Sequence, residues 1–86
     1  MLVSTSGVSV WIAEGGVDRL DKIDKILGRH ESGDWGDVCE EDRLANDSAR
    51  LHEERLLSSY TVDGRELWVV TEADRSVTTI LFPEEY

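Results

Sequence analysis

The sequence has very few of the residues that build disulfides or membrane spans. Cys39 is the only cysteine, so the chain cannot form an internal disulfide or a cysteine-rich metal cluster. No apolar run reaches the ~18 residues of a membrane-spanning helix, and residues 1–6 show no positive charge ahead of an apolar stretch. We therefore expect neither a transmembrane helix nor a signal peptide, and we expect a cytoplasmic location.

Basic residues are also scarce. Nine Lys and Arg oppose 19 Asp and Glu, which gives a net charge of −10. Binding to phosphate backbones or anionic membranes depends on clustered basic side chains, so this balance argues against direct contact with nucleic acid or with membranes. A basic protein surface would instead be attracted. The alternative is that the charge only keeps a small protein in solution.

The length and composition predict a single domain over residues 1–86. Hydrophobic residues make up 40% of the chain, and no linker-like stretch separates two apolar clusters. A chain of this size buries only about 60% of its unfolded surface, which leaves little apolar material for a deep, enclosed substrate cavity. A function at the surface is therefore favoured.

Two helices are predicted in the first half. Residues 17–28 combine apolar spacings of three and four with two Asp–Lys pairs four apart, and residues 7–14 fit a strand or, slightly better, a short helix ended by Gly15-Gly16. Residues 30–37 are predicted to form an exposed loop, and a second helix, capped by Asp37 or Cys39, runs to about Glu54. The apolar face of the first helix would consist of Val17, Leu20, Ile23, Ile26 and Leu27. Its ion pairs would be Asp18–Lys22 and Asp21–Lys25. The buried side of the second helix would carry Leu44, Ala45, Ser48, Ala49, Leu51 and Leu56.

The second half predicts three strands. Residues 56–62 and 66–71 are joined by Asp63-Gly64, a strong hairpin signal, and residues 77–82 form a third strand ended by Pro83. Such a sheet needs cover on its apolar face, which the helices would supply. The predicted fold class is α+β, with a helical first half packed on a three-stranded antiparallel β-meander.

The negative charge is concentrated in residues 31–49, which we call the acidic segment. It holds seven acidic residues against Arg43 alone, and residues 66–86 hold five against Arg75 alone. Trp35, in an acidic loop, suits an interface anchor and equally suits a plug at the end of the core, and the sequence leaves both open. The candidate partner-binding residues are Asp34, Trp35, Asp37, Glu40, Glu41, Asp42, Glu72 and Asp74.

Enzymatic alternatives rest on a few side chains. His30, Asp34 and Asp37, with Cys39 close by, would supply a small metal-dependent hydrolase. Their spacing matches no established metal motif, however, and caps and turns explain them better. Glu72 and Asp74 suit either an acid/base pair or turn capping and pairing with Arg75. No nucleophile motif surrounds any serine. We therefore expect no enzymatic activity, catalytic residue, metal or cofactor.

Two stretches carry a resemblance to known proteins. They are His30-x-x-Gly33-Asp34-Trp35-Gly36-Asp37 with Glu41-Asp42, and Thr71-Glu72-Ala73-Asp74-Arg75-Ser76-x-Thr78-Thr79 leading to Leu81-x-Pro83-x-Glu85-Tyr86. Over residues 28–86 the chain resembles a family of small uncharacterised proteins of bacterial plasmids and integrated mobile elements, some of them named as a type I restriction enzyme modification subunit. A methyltransferase function does not follow, because the chain has a single proline and no glycine-rich loop between a strand and a helix.

The resemblance implies a mobile-element setting, in which small acidic proteins often block host defence nucleases by imitating DNA. With the charge, it predicts a non-enzymatic interaction protein whose acidic segment docks on a basic surface of a nucleic-acid-handling protein. Anti-CRISPR or anti-restriction activity is the sharpest form of this hypothesis. The alternative is an accessory or regulatory domain that joins its partner through an exposed sheet edge or an apolar patch.

Overall fold

A computed structural model describes all 86 residues and places two helices against a four-stranded mixed sheet. The elements are β1 (Leu2–Ser4), α1 (Ser6–Glu31), α2 (Glu40–His52), β2 (Leu56–Val62), β3 (Arg65–Thr71), β4 (Thr78–Leu81) and a 3₁₀ turn (Pro83–Glu85). The strand order is β1-β4-β3-β2. Neither helix offers an apolar stretch long enough to cross a membrane.

The α+β class is confirmed, but the prediction of a three-stranded sheet is wrong. Strands β2, β3 and β4 pair antiparallel in sequence order, and β1 adds a fourth strand parallel to β4. The amide of Thr78 donates to the carbonyl of Met1 at 2.8 Å, and the amide of Thr5 donates to that of Ile80 at 3.1 Å. Strand β1 has only three residues, which are too few to show an alternating apolar pattern. Its sequence therefore carries no strand signal of its own.

Helix α1 contains both predicted helical stretches, joined across a kink. Thr5 caps the helix, since its hydroxyl accepts the amide of Val8 at 3.3 Å, and Gly16 breaks it with φ 67° and ψ −156°. After the kink the buried side chains are Ile23, Ile26 and His30. The prediction that Val17 and Leu20 are buried is wrong, because they are 78% and 50% exposed.

Charged contacts tie α1 to the β2–β3 turn. Asp63 and Gly64 form that turn with φ 48° and 78°, as predicted for a tight hairpin. Arg19 and Lys22 both form ion pairs with Asp63. The expected pairs within the helix, Asp18–Lys22 and Asp21–Lys25, do not form. Lys22 contacts Asp63 instead, and Lys25 has no carboxylate within 4 Å.

The main core lies between α1 and one face of the sheet. Its ten buried residues are Val8, Trp11, Ile23, Ile26, Tyr60, Val62, Leu67, Val69, Ile80 and Phe82. A smaller cluster of Trp35, Ala49 and Leu56 lies where α2 meets the sheet. The helices therefore cover the sheet unequally, with α1 contributing most of the apolar contact.

Residues 34–37, which we call the edge segment, lie along the outer edge of β2. The amide of Ser59 donates to the carbonyl of Trp35 at 3.1 Å, and the amide of Asp37 donates to the carbonyl of Ser59 at 2.7 Å. Two residues away, the side-chain amide of Asn46 pairs with both backbone groups of Leu57, at 2.6 and 3.1 Å. The edge of β2 is thus hydrogen-bonded at both positions, which protects it from pairing with another chain.

Helix α2 rests on the sheet through fewer side chains than the sequence predicts. Cys39 occupies the N-cap position without a side-chain hydrogen bond, and the helix ends at His52. The predicted apolar stripe is confirmed at Ala49 and wrong at Leu44 and Leu51, which are 57% and 82% exposed. The other buried position of the helix is Asn46. The hydrogen bonds of Asn46 with Leu57, rather than leucine packing, orient this helix.

Replacing Gly36 by alanine should destabilise the protein strongly. Gly36 has φ 72°, and a Cβ there would overlap the carbonyl oxygen of Ser59 and the ring of Tyr60. Left-handed strain and overpacking together should lower the free energy of unfolding by about 2–4 kcal/mol in urea denaturation. Gly64→Ala is the matched control, because Gly64 also has positive φ but no atom within 4 Å of its Cβ. Equal losses for the two variants would contradict close packing of the edge segment.

Candidate functional site

Asp34 and Asp37, the first carboxylates of the predicted site, stand at the two ends of the edge segment. Asp34 accepts two hydrogen bonds from Arg29, at 2.8 and 3.2 Å, and one from the amide of Gly36 at 3.2 Å. The bonds from Arg29, and then the amide of Gly36, lower the pKa of Asp34. Asp37 is exposed and accepts one long bond, 3.4 Å, from the hydroxyl of Thr61. Asp34 therefore helps to fix the segment, whereas Asp37 is available to solvent.

The next three carboxylates form the first turn of α2. Glu40, Glu41 and Asp42 are all exposed, and Glu40 pairs with Arg43 at 3.2 Å on the same helix. Glu41 and Asp42 have no cation within 4 Å. Their charge complements the positive end of the helix dipole, which gives part of the acidic segment a structural role. The turn also places these carboxylates close to Asp37 on a rigid element.

Trp35 belongs to the core, which resolves the alternative left open by the sequence. Its side chain is 3% exposed, and the indole N–H donates to Asp47 at 2.8 Å. Its ring meets His30 edge to face, with 5.7 Å between centroids. A side chain enclosed in this way does not offer the exposed aromatic surface of an interface anchor.

Glu72 and Asp74 lie apart from the other candidate residues. Asp74 accepts the amide and the hydroxyl of Ser76, at 3.0 and 2.6 Å, and these bonds lower its pKa. Glu72 pairs with Arg55 at 3.5 Å rather than with Arg75. Arg75, in the same turn, contacts the C-terminal end of α2 through the carbonyl of Ala49. The turn is therefore separated from Glu40–Asp42 by most of a helix about 20 Å long, so these acidic residues do not form one surface.

His30 ends α1 inside the protein, so its prediction as part of an exposed loop is wrong. The ring is 4% exposed. Nδ1 shares a hydrogen bond with the hydroxyl of Ser58 at 2.5 Å, and Nε2 with the hydroxyl of Thr71 at 2.8 Å. Burial, and then the positive charge of Arg75, lower the pKa of His30 to about 4. The ring is therefore neutral near pH 7.

The hydrolase alternative finds no support in this geometry. Both ring nitrogens of His30 are occupied by hydroxyl groups, and Asp34 is paired with Arg29. No group of three or more His, Cys, Asp or Glu side chains comes together in a way that would hold a metal ion. Cys39 is exposed at the start of α2. His30 and Asp34 serve instead as parts of the fold, while Asp37 stays exposed.

The buried histidine was missed although the sequence contains a signal for it. His30 follows Ile26 by four residues and Ile23 by seven, so it continues the apolar face of the helix. Its partners Ser58 and Thr71 come from strands far along the chain, and no local pattern announces them. Periodicity could have placed His30 on the buried face, but not its hydrogen bonds.

Comparisons with known proteins gave no match, whether to protein-family models, to curated proteins or to solved structures. The resemblance to a family of mobile-element proteins therefore stays a prediction.

Replacing His30 by glutamine should destabilise the protein in a pH-dependent way. Near neutral pH the loss should be roughly 2–4 kcal/mol, because Ser58 and Thr71 lose a buried partner. The unfolded state of the wild type takes up a proton at His30 below its ordinary pKa of 6.5, while the folded state resists protonation down to about 4. The wild type therefore loses stability across this window, by about 1.4 kcal/mol per unit of pKa difference at most.

The variant has no such group, so the stability difference between the two proteins should shrink as the pH falls from 6.5 towards 4. Urea denaturation of both proteins at several pH values measures this difference. A constant gap across the window would show that His30 titrates normally in the folded protein.

Proposed function

We propose that this protein is a non-enzymatic interaction protein that docks its acidic segment on a basic surface of a nucleic-acid-handling protein. The observation that carries the proposal is the group of exposed carboxylates Asp37, Glu41 and Asp42, none of which has a cation within 4 Å. Across the chain, 19 carboxylates face nine Lys and Arg, and five carboxylates form ion pairs. Most of the negative charge is thus available to a partner.

The scaffold under these carboxylates favours specific binding over general repulsion. Asp37 is tied to β2 by its amide, and Glu41 and Asp42 are held in a helical turn. Charges fixed on a rigid frame lose little conformational entropy on binding, and complementary charge accelerates association with a basic partner. Surfaces that hold nucleic acid are strongly basic, so they fit this chemistry best.

Imitation of DNA is the sharpest form of the proposal. The resemblance to mobile-element proteins suggests a host defence nuclease as the partner, in which case the protein acts as an anti-CRISPR or anti-restriction inhibitor. Such an inhibitor would occupy the groove that normally holds the phosphate backbone. It would therefore compete with nucleic acid, and its binding would weaken as salt rises.

An accessory domain is the second candidate, and the open edge of β1 favours it. This strand is at the end of the sheet, and Leu2 and Val3 are 55% and 36% exposed. An extended segment of a partner could add to this edge through backbone hydrogen bonds. Binding of that kind would tolerate high salt.

Neutralising the acidic segment should abolish binding while leaving the fold intact. The test variant is Asp37→Asn, Glu41→Gln and Asp42→Asn together, and the matched control is Asp18→Asn, Asp21→Asn and Asp24→Asn on exposed positions of α1. Both raise the net charge by three. Tagged wild type and both variants are used for affinity capture from bacterial extract at low salt, followed by a high-salt wash and mass spectrometry.

A partner retained by the wild type and the control, lost by the test variant and released by salt is the expected result. Its affinity for the test variant, measured with the purified partner, should fall by roughly tenfold or more. Duplex DNA should also displace the wild-type protein from it. Equal retention by both variants would reject the acidic segment as the interface, and a partner that survives high salt would favour the edge of β1.

A further inference from the structure

A cavity of about 390 Å³ lies beside the buried histidine, and Glu31 is the one carboxylate of the acidic segment that lines it. It is open to solvent on one side. The C-terminal end of α1, the last turns of α2, strand β1 and the β3–β4 turn surround it. Its volume falls within the range of small-molecule sites, about 300–1,000 Å³. The cavity is open rather than deep and enclosed, in keeping with the small size of the chain.

The cavity combines an apolar wall with two arginines. Leu2, Leu27 and Leu56 contribute aliphatic surface, and Arg50 and Arg75 line the same space. Neither arginine has a carboxylate within 4 Å, whereas the other five arginines of the chain are all paired. Two of the few unpaired cations of a protein with net charge −10 therefore face one cavity.

Both arginines are held in place by backbone carbonyls. Arg50 donates to the carbonyls of Glu31 and Ser32, at 3.1 and 3.3 Å. Arg75 donates to those of Glu54 and Ala49, at 2.6 and 3.2 Å. A carbonyl carries no net charge, so each guanidinium keeps its full positive charge while its position is fixed.

Apart from the two arginines and Glu31, the polar side chains of the wall are neutral. Thr78 lines the cavity, and its hydroxyl contacts that of Thr71 at 2.9 Å, which in turn contacts His30. His30 is uncharged near pH 7, because burial lowers its pKa to about 4. The wall therefore offers a hydroxyl group for a hydrogen bond beside the uncharged ring of His30. Glu31 is the single carboxylate among the lining residues.

We propose that this cavity binds a small carboxylic acid with an apolar body, the carboxylate held between Arg50 and Arg75 and the body against Leu27 and Leu56. Arginine favours carboxylates because its planar fork of donors matches two oxygen atoms. The apolar wall excludes a fully hydrated anion such as phosphate as the preferred ligand. This site is independent of the interaction proposed for the acidic segment.

Three probes test the ligand chemistry in the wild-type protein. Octanoate has a carboxylate on an aliphatic chain. The alcohol 1-octanol has a similar aliphatic chain without a charge, and inorganic phosphate has a charge without an aliphatic chain. Each is titrated into ¹⁵N-labelled protein while NMR follows the amides of Thr71 and Thr78 and the indole N–H of Trp35. Octanoate should shift these signals with an affinity roughly tenfold or more above that of either other probe.

Variants test the arginine anchor. Arg50→Gln should weaken octanoate binding roughly tenfold, and Arg50→Lys should restore only part of it, because the charge remains while the planar fork of donors is lost. Arg43→Gln is the matched control, since Arg43 lies on the same helix and pairs with Glu40 outside the cavity. Failure of octanoate to shift the cavity signals, or equal affinity for 1-octanol or phosphate, would overturn the proposal. Equal binding by Arg50→Gln and wild type would overturn it as well.

Discussion

The pairing of the edge segment with β2 is the constraint on which the rest of the structure depends. Two backbone hydrogen bonds with Ser59 hold the chain against the sheet, and the hydroxyl of Tyr60 donates to the carbonyl of Asp34 at 2.6 Å. This contact buries Trp35, covers the edge of β2 and sets the point from which α2 begins. Without it the chain between α1 and α2 would be a solvated loop, and Trp35 would leave the wall of the cavity.

The fold separates charge of the two signs. Arg19 and Lys22 neutralise Asp63 at the hairpin turn, and Arg29 neutralises Asp34 at the start of the edge segment. Most other carboxylates lie away from the cavity. Arg50 and Arg75 line this cavity, and Glu31 is the one carboxylate on its wall. A strongly acidic protein can thus carry a local site for an anion, because carbonyl groups hold these two arginines without cancelling them.

Local sequence patterns predicted most helices and strands, but not which of them pack or pair with one another. The apolar spacing of Ile23 and Ile26 marks α1, and Asp63-Gly64 marks the hairpin, because both signals act between residues close in the chain. Strand β1 escaped prediction because it forms only when β4 is present beside it.

The errors about α2 and the site have the same origin. Leucine periodicity suggested a buried stripe, but the long-range hydrogen bonds of Asn46 with Leu57 turn another face of the helix to the sheet. The acidic character of the candidate surface is a property of composition, so it was visible in the sequence. Other features of the site depend on tertiary contacts and could not be read from the sequence. They are the pairing of Asp34 with Arg29, the burial of Trp35, and the position of Arg50 and Arg75 on one cavity.

Hydrogen exchange at the amide of Asp37 tests most directly whether the acidic segment is held on the sheet. This amide donates to the carbonyl of Ser59 at 2.7 Å, so NMR should find it exchanging as slowly as amides of the β2–β3 ladder. Exchange at the rate of an unstructured peptide would show that the edge segment is free. Asp37 would then lie on a flexible loop between α1 and α2 rather than on a fixed surface.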